Sequence, residues 1–124
     1  MTTEESAPEA LAAAFTASLE AGDSVAMEKL LAPGSTLWHN TDGKALQRHE
    51  MLELGGNLSR VLPTLRYENI RRRTFDGGCV QQHDVHGLSA TGRPFIVPAC
   101  LVILVCKGQI VRIDEYYDSA HDPR

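Results

Sequence analysis

The segment that leaves this chain fewest ways to fold is Phe95 to Cys106, FIVPACLVILVC. It lies between two turn signals, Thr91-Gly92-Arg93 and Lys107-Gly108. It is far shorter than the roughly 18 apolar residues that a membrane span needs, and its β-branched run suits a strand. A strand that is apolar on both alternations must be covered on both faces. The chain's own helices can cover one face; a second subunit is the simplest cover for the other, which predicts a homodimer. Pro98 has no N–H to give to a ladder, so it is expected at a bulge or an unpaired edge.

Helical patterns precede this strand. Ser6-Ala7-Pro8-Glu9 has the form of a capping box and opens an Ala-rich helix with Leu11, Phe15 and Leu19 along one stripe. Gly22 stops it, Asp23 caps a short helix carrying Val25, Leu30 and Leu31, and Pro33-Gly34 ends that one. STLWHN reads as a brief strand closed by Asp42-Gly43, and a third helix is predicted over Ala45 to Val61 although Gly55-Gly56 interrupts it. The rest is β: TLRYENIRRRTF, a turn at Asp76-Gly77-Gly78, VQQHDVHGLSA, the apolar strand, and QIVRIDEYYD. Helices followed by an antiparallel meander predict an α+β fold, with helices packed on one face of a curved, mostly antiparallel sheet. At 124 residues the chain is expected to be one domain, 1–124, with residues 1–5 a loose tail.

Charge narrows the partners. Twelve Lys and Arg against 16 Asp and Glu give a net charge of −4, which argues against nucleic acid, because phosphate binding needs a basic footprint. The one basic run, Arg71-Arg72-Arg73, is in a strand and alternates between faces. MTTEESAPEA has neither a basic nor an apolar signal region, no membrane span is visible, and the odd cysteines Cys79, Cys100 and Cys106 fit reduced thiols, so a cytoplasmic protein is expected.

The last strand carries the clearest chemical signal. One alternation holds Val111, Ile113, Glu115 and Tyr117; the other holds Ile110, Arg112, Asp114 and Tyr116. The Arg–Asp pair belongs in water, so Glu115 is expected to face inward, where its carboxylate must be paired, hydrogen-bonded or protonated. VQQHDVHG is polar on both alternations: Val80, Gln82, Asp84, His86 and Gln81, His83, Val85, Gly87. A pocket explains a strand without a clean core face, with Gln82, Asp84 and His86 meeting Glu115, Ile113 and Tyr117. Two nearby carboxylates rarely both ionise, which supplies one acid and one base near neutral pH. Trp38 and Asn40, two apart, share a side and can hold a water or a substrate oxygen. A metal is not expected: His83 and His86, three apart in a strand, point to opposite faces.

The order of elements, and the segments HDVHG, TGRPF, GQI and DEYYD, resemble those of the SnoaL-like polyketide cyclases and limonene-1,2-epoxide hydrolases of the ketosteroid-isomerase-like (cystatin-like) superfamily. The resemblance implies a cone-shaped α+β domain with its pocket between sheet and helices, usually dimeric. It implies Asp84 as acid–base, Glu115 as the group activating water, and Trp38 and Asn40 as the residues holding that water. Gln82 stands where the hydrolases place an arginine, Trp38 replaces a tyrosine, and Glu115 is one methylene longer than their aspartate. Residue reading and resemblance together predict a cofactor-free acid–base enzyme acting on a small apolar or polyketide-like molecule by cyclisation, isomerisation or epoxide hydrolysis. The alternative is a non-catalytic binding or dimerisation module of the same fold.

Overall fold

A computed structural model describes residues 7–121, so Ser6, half of the expected capping box, and the expected tail lie outside the described residues. Helix α1 spans Pro8–Ala21, with Ala7 as its N-cap and Pro8 in the first turn, where a missing N–H costs nothing. It ends at Gly22, whose φ of +64° is the left-handed cap expected there. Helix α2, Ser24–Leu30, starts at Asp23, whose carboxylate accepts from the Ala26 N–H at 3.0 Å. It stops before Leu31, one residue short of the expected apolar stripe.

Strand β1 is longer than the sequence suggests, Leu31–His39, because Pro33-Gly34 falls in a register shift between Leu31 and Thr36 rather than at a helix end. A short β2, Ala45–Gln47, takes what was expected to be the first turn of the third helix. Helix α3 accordingly runs Arg48–Val61. A reciprocal pair between Gln47 and Glu50 opens it; the Gln47 N–H donates to Glu50 Oε1 at 2.9 Å. The helix continues through Gly55-Gly56. A Cβ on Gly55 would come within 2.5 Å of Met27 Cε, so the glycine lets α2 and α3 approach rather than breaking the helix.

Strands β3 (Arg66–Phe75), β4 (Gly78–Leu88), β5 (Pro94–Cys106) and β6 (Gln109–Tyr117) follow, then a short 3-10 turn over Ser119–His121. The six strands form one mixed sheet in the order β2-β1-β6-β5-β4-β3, with β1 and β6 parallel and every other pair antiparallel. The helices pack on one face, around Leu11, Phe15, Met27, Leu37, Leu101 and Ile113. Facing them on β5 are Val97, Leu101 and Ile103, whereas Ile96 on the other face is 52% exposed. Pro98 lies opposite Asp84 with no bulge on the β4 side. Pairing with β6 begins only at Ala99, so Pro98 has a strand neighbour on one side alone. That one-sided edge fits its missing N–H.

Candidate functional site

Two strands set the inward chemistry. On β6, Ile113 is fully buried and Arg112 exposed, so Glu115 and Tyr117 face the helices as expected. Ile110 also faces inward, because a register shift between Leu104 and Val105 resets the alternation; the expected inward Val111 falls within it. On β4 the inward set is Cys79, Gln81, His83 and Val85: Gln81 is 0% and His83 1% exposed. The expectation that Asp84, Gln82 and His86 meet Glu115 is therefore corrected. Side chains alternate with a period of two, so choosing the wrong set by one residue turns the whole strand over.

Asp84 lies between Glu68 and Pro98 on the outward face and accepts weakly from Asn69 Nδ2 at 3.4 Å. His86 approaches Glu68 at 3.6 Å, and Gln82 is exposed. Trp38 is also outward, its ring 5.4 Å from that of Tyr116 in an edge-on contact. The Asn40 amide is committed to the backbone. It brackets the end of β6, donating to the Tyr117 carbonyl at 3.2 Å and accepting from the Tyr117 N–H at 3.0 Å. Ile113 belongs to the closed core.

A row of side chains crosses the inward face instead. Register places His39, Glu115, Leu101, Gln81 and Arg72 side by side on β1, β6, β5, β4 and β3. His39 Nε2 lies 2.9 Å from Glu115 Oε1, with side chains 17% and 24% exposed. Gln81 accepts from Arg72 Nε at 2.8 Å. In the next row His83 packs against Tyr67, ring centroids 4.7 Å apart. Burial, with some opposition from the Glu115 and Asp84 charges, pushes the His83 imidazole down to about 4 from its usual 6.5. Burial first, then the Glu115 and Glu20 charges, hold the Tyr67 phenol well above its usual range, so it stays protonated.

Between this face and α3 is a pocket of about 540 Å³. Leu58, Leu62, Leu65, Phe95 and Val97 make it largely apolar; Glu115, His39, Tyr67 and Tyr117 bring polar groups from the sheet. The size and composition are those of a small-molecule site. Among the described residues no three His, Cys, Asp or Glu side chains gather as a metal would require, and His83 and His86 do point to opposite faces.

His39, Gln81 and Tyr67 escaped the sequence reading, although a usable signal existed. The argument that put Asp114 in water, and hence Glu115 inside, applies equally to Asp84, and puts Gln81 and His83 inside.

No protein-family model matches the sequence, and no curated protein matches it. Solved structures do. The chain is similar to IdmH, a proposed polyketide cyclase from Streptomyces antibioticus, at TM-score 0.82 and 16% identity over 94% of this chain and 95% of that one. A proposed polyketide cyclase from Pseudomonas putida matches at 0.81 and 21% over 94% and 95%. A protein of ketosteroid isomerase-like fold from Catenulispora acidiphila, in complex with trimethylamine, matches at 0.80 and 15% over 94% and 90%. The chain thus has the ketosteroid-isomerase-like fold shared by SnoaL-like polyketide cyclases. No helix among the described residues is long and apolar enough to cross a membrane.

Proposed function

We infer that the protein is a cofactor-free acid–base enzyme for a small, mostly apolar molecule bearing a carbonyl-type oxygen. The observation that carries this is the 2.9 Å His39–Glu115 pair in the wall of a largely apolar pocket. Glu115 is the principal base and His39 orients its carboxylate. Tyr67, kept protonated, donates to the substrate oxygen.

In the reaction this supports, the C–H bond next to a carbonyl breaks and its proton passes to Glu115. The electron pair moves onto the carbonyl oxygen beside Tyr67, and the proton returns to the same or another carbon. Isomerisation and ring closure both begin with this step. Asp84, given this role by the family resemblance, stands outside the pocket and is not part of the proposal.

The test is deuterium uptake beside the carbonyl of 2-cyclohexenone and related cyclic enones in heavy water, comparing the native protein with Glu115→Gln. Faster uptake that the substitution removes supports the enzyme. Enone binding without uptake would assign the pocket to ligand storage or sensing.

Homodimerisation belongs to the same proposal. The outward face of β5, with Ile96, Pro98 and Val102 beside the Trp38–Tyr116 contact, offers an apolar surface of the kind subunits bury. Sedimentation equilibrium should give a dimer that Ile96→Asp splits. Three free thiols, one buried, one half-buried and one exposed, support a reducing, cytoplasmic setting.

A further inference from the structure

We propose that Arg72 and Gln81 fix His83 in a single tautomer, and that its Nε2–H donates to a carbonyl-type ligand oxygen at the deep end of the pocket. The ligand half of this rests on reading the pocket as a ligand site; the tautomer half stands on hydrogen-bond geometry alone.

The chain of constraint starts at Arg72, which can only donate. Its Nε–H meets Gln81 Oε1 at 2.8 Å, so that atom must be the amide oxygen. Gln81 Nε2 therefore faces the other way, at 3.0 Å from Thr16 Oγ1 and 3.0 Å from His83 Nδ1. The Thr16 hydroxyl gives its own proton to the Ala12 carbonyl at 2.9 Å, which leaves it free to accept from the amide. Both amide hydrogens are thereby committed, and His83 Nδ1 has to accept one of them. A neutral imidazole that accepts at Nδ1 carries its proton at Nε2.

That Nε2 is buried and has no hydrogen-bond partner among the described residues. Buried polar groups are nearly always satisfied, so an orphan donor in a folded protein calls for a partner from outside the chain. Nε2 lies across the ring from Nδ1 and so points away from Gln81. Around the His83 side chain stand Val85 on its own strand, Ala99 directly opposite and the Tyr67 ring. All three line the pocket. His83 is 1% exposed and is not itself a lining residue, so a ligand oxygen has to reach its Nε2 between these neighbours.

The resulting polar set is two-sided. Tyr67 and His83 supply donors, and Glu115 with His39 supplies the acceptor. A donor pair facing a carboxylate suits an oxygen that gains negative charge while a neighbouring carbon loses a proton.

The experiment uses the full chain uniformly labelled with ¹⁵N, at pH 7, in long-range ¹H–¹⁵N correlation spectra for the histidine rings and one-bond spectra for the backbone amides. One histidine, identified by its disappearance in His83→Gln, should show a protonated Nε2 and a bare Nδ1. In Gln81→Glu the carboxylate can only accept, so Nδ1 should become protonated. 2-Cyclohexenone should then shift the native Nε2 signal. A native Nδ1–H tautomer, or an unchanged pattern in Gln81→Glu, overturns the relay. If the enone moves the Ala99 and Glu115 amide signals but not His83 Nε2, the donor role falls and the ligand site stands. If it moves none of them, the ligand site falls and takes the donor role with it, whatever the tautomer.

Discussion

Glu115 and Asp84 are carboxylates on strands separated only by β5, and both are half-buried, yet they live in different chemical worlds. Glu115 shares the helix-covered face with His39 and has an apolar pocket in front of it. Asp84 is on the outward face, with Asn69 at 3.4 Å and the Glu68 backbone as its strand neighbour. What separates them is the side of the sheet. Fractional exposure alone does not distinguish a site residue from a surface one, because an open pocket and a lightly covered outer face expose a carboxylate to similar extents.

The sharpest way to break this comparison is to neutralise each carboxylate in turn. Glu115→Gln should reduce enone deuteration by about 10²-fold or more, the usual scale for losing a general base. Asp84→Asn should change it less than about twofold; equal losses would mean that the two faces are not functionally distinct. Residues on the adjacent strands β5 and β4 give the next contrast. Leu101→Ala, on the inward face, should lower unfolding free energy by about 2–5 kcal/mol in denaturant titrations. Gln82→Ala, outward and exposed on β4, should stay within about 0.5 kcal/mol.

A third effect depends on pH. His83 is held at about 4 in the folded protein against 6.5 ordinarily. Between those values the unfolded chain takes up a proton that the folded chain refuses. Stability should therefore be fully present above pH 6.5 and fall as the pH drops towards 4, by at most about 3 kcal/mol. Denaturant midpoints across this range should decline in the native protein, and decline less in His83→Gln. A smaller effect is expected from the ring contact on the outer face: Trp38→Leu removes it and should cost about 1 kcal/mol.

Much of the framework could be read from the chain. Gly22 and Asp23 punctuate α1 and α2 as expected, since left-handed caps and carboxylate caps depend on local chemistry. The β-strands after Pro63 are nearly where the alternation puts them. Glu115 was placed inward because Arg112 and Asp114 made its face the only dry one. What failed was local information in competition. VQQHDVHG has no apolar side, so periodicity does not choose its inner face; pairing a second carboxylate with Glu115 selects the set one residue away from the observed one. Trp38 and Asn40 moved with it, since β1 pairs in register with β6 and His39, not either neighbour, lies beside Glu115. The short β2 and the register shift around Pro33-Gly34 depend on pairing with distant strands, which no short window of sequence contains.

The parallel pairing of β1 with β6 has a consequence for how the protein comes into being. His39 and Glu115 touch, yet 76 positions of chain (115 − 39) separate them, and all of β2 through β5 lies between. Contacts of such long range form only after a large loop has closed, and they weigh on the folding rate. On a ribosome, therefore, every earlier strand can exit and begin to pair while the His39–Glu115 contact still does not exist. That contact, and with it the polar side of the pocket, arrives with β6, which ties the proposed site to completion of the sheet.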